Sequence, residues 1–208
     1  MNLTARREAY RAILEGDKCV HPGSVFDPIS ARIAEDVGFE VMMFAGSIAS
    51  ATVLGAPDYI VLTQTEFAQQ IHRICRAGTI PLMVDSDHGY GNALNVKRTV
   101  EELETAGVAA LTIEDTLLPR AFGSSSPELI SLGEGVGKMK AALAGRQDPS
   151  LVVAGRTSAC AIEGLEGGIR RAKAYQEVGV DALFFAGGIN SVDDLAAIRS
   201  EISIPILM

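Results

Sequence analysis

Two aspartates close an apolar run in the segment IPLMVDSDHGYGN (80–92). Asp85 and Asp87 come straight after it, and a histidine and two glycines follow. A carboxylate at the end of a buried strand is costly unless something cationic meets it. Three other apolar runs end in polar residues in the same way: FEVMMFAGS at Ser47, AALTIED at Glu114 and LVVAGR at Arg156. Side chains alternate along a strand. Met83, Asp85 and Asp87 therefore share a face, as do Ala110, Thr112 and Glu114, then Val152, Ala154 and Arg156, and then Val41, Met43, Ala45 and Ser47. Carboxylates that converge on one mouth repel each other unless a cation sits between them. Oxygen-only donors on rigid elements suit Mg2+ or Mn2+, with waters and substrate oxygens completing an octahedron. Arg156 then offers a bidentate fork to a substrate carboxylate. Any one of these residues is equally well a polar residue starting a loop. Their common phase at four strand ends is what points to a site for a small dianionic oxo-acid.

Other candidates carry less. His88 reads as an orienting group or a solvated loop residue rather than a base. Gly89 and Gly91 supply positive φ or close backbone approach, and Tyr90 has no assigned role. Asp58, in GAPDY, either reaches the outer water shell of a metal or is a turn residue. FAGGIN (185–190) is either a phosphate-holding helix start or a tight turn. No lysine occupies a strand end, which disfavours a Schiff-base aldolase, and neither G-x-S-x-G nor H-E-x-x-H occurs.

The elements that must position these residues alternate. Short β-like runs fall around Cys19–Val20 and at 39–46, 80–85, 109–115, 151–156, 181–187 and 204–208. Helical segments lie between them. Thr63 and Glu66 have capping-box spacing, with Gly78 as a stop; further helices end at Gly107 and Gly179, and one starts at Ser191. This alternation, without a composition break, predicts one parallel-sheet domain over residues 1–208. The in-phase polar strand ends favour a (β/α)8 TIM barrel over a Rossmann-like sheet, which lacks its G-x-G-x-x-G here. Seven strands are legible, so the chain is expected to be a fragment without strand 8 and the final helices.

Composition sets outer bounds. Hydrophobic residues make up 48% of the 208, enough for a substantial core. The net charge of −8 gives no footprint for nucleic acid or an anionic membrane. No apolar run is long enough to span a bilayer and the first twenty residues are polar and charged, so neither a membrane span nor a signal peptide is expected. Three cysteines without metal-ligand spacing suit a reducing cytoplasm.

Taken together, SVFDPISARIAEDVGFE, AGSIAS, DSDHGYGN, TIEDTLLP and GRTSA resemble the isocitrate lyase/phosphoenolpyruvate mutase superfamily, in particular its oxaloacetate decarboxylase branch. The resemblance implies a (β/α)8 barrel that stabilises enolates of α-oxo acids. It implies Mg2+ on Asp85, Asp87 and Glu114, held partly through water, and a substrate carboxylate or oxo group on Gly46 and Ser47. It also implies substrate binding by Arg156, and a homo-oligomer, dimer or tetramer. Lyases of the superfamily carry a cysteine and a histidine on the loop after strand four. In PRAFGSS, Phe122 and Ser124 stand in those places. Decarboxylation of oxaloacetate needs no thiol and is the expected activity. The alternatives are cleavage of a 2-methylisocitrate- or dimethylmalate-like acid, and oxo-acid binding without turnover.

Overall fold

The computed structural model describes residues 2–124 and 126–208. Helix α1 (Leu3–Leu14) precedes strand β1 (Gly23–Ser24) and α2 (Pro28–Asp36). Strand β2 (Met42–Phe44) runs into the short α3 (Gly46–Ala49), which continues as a wider turn over 50–54. Then come α4 (Gln64–Ala77), β3 (Leu82–Asp85), α5 (Ala93–Ala106), β4 (Ala110–Glu114) and α6 (Leu132–Gly145). The chain continues through β5 (Val152–Thr157), α7 (Ala159–Ile162), α8 (Gly164–Val178), β6 (Ala182–Phe185), α9 (Val192–Glu201) and β7 (Ile206–Leu207).

Local chemistry sets the helix ends. The Asp27 side chain accepts from the Ser30 amide and the Ser30 hydroxyl oxygen accepts from the Asp27 amide, with Pro28 at the first helical position. Thr63 with Glu66 and Asn92 with Asn95 make the same reciprocal box at α4 and α5. Helices α5 and α8 stop at Gly107 and Gly179, at φ 110° and 99°, where a side chain would be strained.

Among the described residues seven strands pair in parallel, each with the next in sequence. A doubly wound sheet reverses its order part-way, so the Rossmann-like alternative is excluded. The architecture among the described residues is a curled parallel sheet whose strands alternate with helices in the sequential order of a (β/α)8 barrel. Its two faces differ as the period-two reading expected. Leu82, Val84, Leu111, Ile113, Val153 and Leu183 pack outward against the helices. Val41, Met83, Ala110 and Val152 form a separate inner cluster with Tyr10.

Tyr10 comes from α1, which the sequence reading had not assigned. It is 3% exposed, and its hydroxyl donates to the Met83 sulfur at 3.0 Å. On the same helix, the guanidinium of Arg7 donates to the carbonyls of Val108 and Glu104 and pairs with Asp148 at 2.7 Å. Arg11 pairs with Asp181 at 2.8 Å. Helix α1 is therefore tied to the loops that enter β4, β5 and β6, at the end opposite the polar strand ends.

One strand is displaced from its expected place. β1 lies at Gly23–Ser24, four residues beyond Cys19–Val20, because Gly23 is the residue that can pair there. A Cβ on Gly23 would lie 2.9 Å from the Phe39 ring. Among the described residues no helix is long and apolar enough to cross a membrane.

Candidate active site

The strand C-termini open into a cavity of about 870 Å³ lined by Ser47, Asp58, Asp85, Asp87, Glu114 and Arg156. Six of the seven residues expected from sequence thus face one space, and the seventh, Gly46, lies directly against Asp87.

Strand register brings Glu114 opposite Arg156 and Asp85 opposite Thr112. Arg156 donates from Nη1 to Asp85 Oδ2 at 2.5 Å, and its Nε lies 3.6 Å from Glu114 Oε2. The guanidinium lies over the Phe184 ring, 5.5 Å from its centroid. The other oxygen of Asp85 accepts from Thr112 Oγ1 at 3.0 Å, and Glu114 Oε2 accepts from Thr116 Oγ1 at 2.9 Å. Each acid is therefore aimed by a threonine two residues away or on the neighbouring strand.

Asp87 arrives by a different route from the one expected. Strand β3 ends at Asp85, and Asp87 has φ 49°, a left-handed conformation uncommon for a residue with a side chain. A turn, not strand phase, delivers its carboxylate to the cavity. Gly46 makes room for it, since a Cβ there would lie 2.6 Å from Asp87 Oδ1.

The electrostatics follow from crowding. Burial pushes Asp87 up to about 8, and the charges of Asp85, Glu114 and Asp58 push the same way against Arg156. Asp58 is raised by burial and then by Asp85, opposed by Arg156 and Arg120. Glu114 is raised by burial, which outweighs the opposing pull of Arg156. Two guanidinia, Arg156 and Arg120, thus face four acids, and the site is short of positive charge. Among the described residues no three acidic, histidine or cysteine side chains close up as an all-protein ligand cage. An oxygen-only donor set with too little positive charge fits the chemistry of a hard divalent cation.

His88 is corrected in one respect. It is 5% exposed and so is not a solvated loop residue; burial and then the Lys138 charge pull it down to about 4, which keeps it neutral. Tyr90 gains a structural role, its ring lying between His88 and Phe67 at 6.2 and 6.4 Å. Gly187 and Gly188, at φ 90° and 80°, make the turn after β6 a tight one, with Gly188 packed on the backbone of Ala161.

Sequence reasoning missed the supports behind the site. Asp115, fully buried, follows Glu114, and its Oδ2 accepts from Tyr175 at 2.7 Å, Thr157 at 2.9 Å and Arg171 at 3.3 Å. Thr157 follows Arg156, so this carboxylate locks β4 to β5 one residue beyond the paired Glu114 and Arg156. The available signal was the doubled acid in TIEDT, whose second member has the outward phase.

A family model described as phosphoenolpyruvate phosphomutase matches residues 11–208. The chain belongs to the phosphoenolpyruvate mutase family. Within that family, an oxaloacetate decarboxylase of Bradyrhizobium sp. strain BTAi1 is 59% identical over all 208 residues, which cover 72% of that protein. One from Bradyrhizobium diazoefficiens is 60% identical with the same coverage. Among solved structures, oxaloacetate acetylhydrolase in complex with the inhibitor 3,3-difluorooxalacetate is 28% identical, with a TM-score of 0.89. The match covers 98% of this chain and 70% of that one. Phosphonopyruvate hydrolase in complex with oxalate and Mg++ is 29% identical, with a TM-score of 0.83, and the match covers 97% and 70% of the two chains. Of these two solved neighbours, one is thus a complex with oxalate and Mg++ and the other a complex with an oxaloacetate analogue.

Proposed function

We propose that this protein decarboxylates oxaloacetate to pyruvate and CO2. The observation that carries the reading is the cluster of Asp85, Asp87, Glu114 and Arg156 at the mouth of the sheet, an anion-binding fork set among acids short of positive charge. The 59–60% identical relatives named oxaloacetate decarboxylase support it.

Asp85, Asp87 and Glu114 would hold Mg2+, with Mn2+ as a substitute, and when bound that ion supplies a positive charge to the α-oxo group of the substrate. The chain's own groups do the rest. Arg156 carries the fork for a substrate carboxylate and is held flat by Phe184 below it. Ser47 and the backbone at Gly46 offer donors to the carboxylate or oxo oxygen. As the C3–C4 bond breaks, its electron pair passes toward the oxo oxygen and CO2 leaves; a proton then returns to C3. Asp58, whose carboxyl is raised and which lines the same cavity, is suited to hold a proton there. The loop at the cavity mouth carries Phe122, fully exposed, and Ser124, and it offers neither a thiol nor an imidazole to the cavity.

The chain is read as one barrel domain in a cytoplasmic homo-oligomer. The three free cysteines and the exposed stripe of Ile29 and Ile33 on α2 with Val37 just past its end support that reading. The test of function is the product from each acid. Pyruvate from oxaloacetate supports decarboxylation. Cleavage of dimethylmalate- or methylisocitrate-like acids supports a lyase, and tight oxalate binding without turnover supports a binding protein.

A further inference from the structure

The turn that carries Asp87 is tied to three separate elements through consecutive carbonyls. Asp87 O accepts from the amide of Glu114 at the end of β4, at 2.9 Å. His88 O accepts from Lys138 Nζ on α6, at 2.8 Å, and Gly89 O accepts from Thr99 Oγ1 on α5, at 3.1 Å. Within the turn, Ser86 O accepts from the Gly89 amide at 3.0 Å. These ties hold a backbone that would otherwise relax, because Asp87 and Tyr90 carry side chains at φ 49° and 62°. Gly89 cannot be exchanged to stiffen the turn, since a Cβ there would overlap Val96.

Lys138 stands out among the ties. Its residue is 2% exposed on a helix packed behind the sheet, and neither the fold nor the proposed chemistry has otherwise used it. Burying an ammonium is expensive, and a neutral donor would satisfy one carbonyl at lower cost. A cation here does two things, because, besides Glu134 on its own helix, Glu114 and Asp115 lie within reach of its charge. It fixes the carbonyl next to Asp87, and it offsets acidity from behind the cavity.

We propose that Lys138 is a positioning residue that sets where the Asp87 carboxylate stands, and through it the affinity of the site for a divalent cation. The inference rests on the reading of Asp85, Asp87 and Glu114 as a metal cradle.

The test uses the purified protein without substrate and Mn2+ as the probe, with free ion followed by electron paramagnetic resonance. Amide hydrogen exchange of the metal-free protein is read in parallel. Lys138→Met should weaken Mn2+ binding by about tenfold or more. It should also speed exchange at residues 87–91 while β5 keeps its protection, a local pattern that general destabilisation would not produce. Lys138→Arg, which keeps a charged donor, should recover part of both. Wild-type Mn2+ affinity in Lys138→Met, alongside weakened binding in Asp87→Asn, overturns the role of Lys138. Wild-type affinity in Asp87→Asn itself overturns the cradle instead; exchange at residues 87–91 then decides on Lys138, and an unchanged rate there overturns it. If Lys138→Met does not fold, Lys138→Gln is read by the same two measurements and the same criteria.

Discussion

Asp87 is the residue in which sequence and structure differ most usefully. Alternation along a strand placed it beside Asp85, and it does reach the same cavity. It does so through a left-handed turn past the strand end, which needs Gly46 opposite and Gly89 within. Period-two reasoning stops where the strand stops, so the destination was legible and the path was not. Two predictions belong at this scale. Burial and three neighbouring acids hold the Asp87 carboxyl up to about 8. The folded, metal-free chain therefore keeps a proton that the unfolded chain releases near the ordinary carboxylate range of about 4. Stability of the chelator-treated protein should fall as pH rises from about 4 to about 8, and this component should vanish in Asp87→Asn. Thermal unfolding at about pH 5 and about pH 8 checks it; equal pH dependence in the two proteins would count against it. Gly46→Ala should keep the fold but weaken Mn2+ binding by about tenfold, because its methyl takes the space of Asp87 Oδ1. Undiminished binding would show that the close approach is not needed.

At the scale of elements, legibility followed the strength of the local signal. The Thr63–Glu66 box, the Gly107 and Gly179 stops and the Ser191 start all stand where the spacing put them. Helix α6 escaped notice because Gly133, Gly135 and Gly137 dilute its pattern. The structure explains the middle one, whose side chain would overlap the Tyr175 hydroxyl. Helix α1 was missed for another reason: its buried face is mostly arginine and tyrosine, and their partners lie more than 70 residues away. Its anchor makes a prediction. Arg7→Met takes the guanidinium away from Asp148, which keeps only Ser150 and Thr4, and from the buried carbonyls of Val108 and Glu104, and should cost about 3 kcal/mol in urea unfolding. Burial would raise Asp148, but bonds from Ser150, Arg7 and Thr4 outweigh it and hold its carboxyl well below the usual range. That contribution is present above about pH 4 and is lost as pH falls further. The Arg7→Met penalty should therefore shrink in acid. A penalty independent of pH would remove Asp148 from the account.

For the whole molecule, the sequential parallel order and the split between outer and inner clusters were both readable from alternation alone. The buried Asp115 lock and the Lys138 tie were not, because a charged residue in an outward phase looks like a solvated one until its partners are seen. Arg156 matters most at this scale, since it joins β3, β4 and β5 at the point where the substrate carboxylate is proposed to bind. The most direct measurement is pyruvate formation from oxaloacetate by the purified protein, with Mg2+ present or chelated, counted as the excess over Mg2+ alone. The account predicts a metal-dependent excess that falls by about a hundredfold or more in both Asp85→Asn and Arg156→Ala. An excess that survives both substitutions unchanged would contradict it.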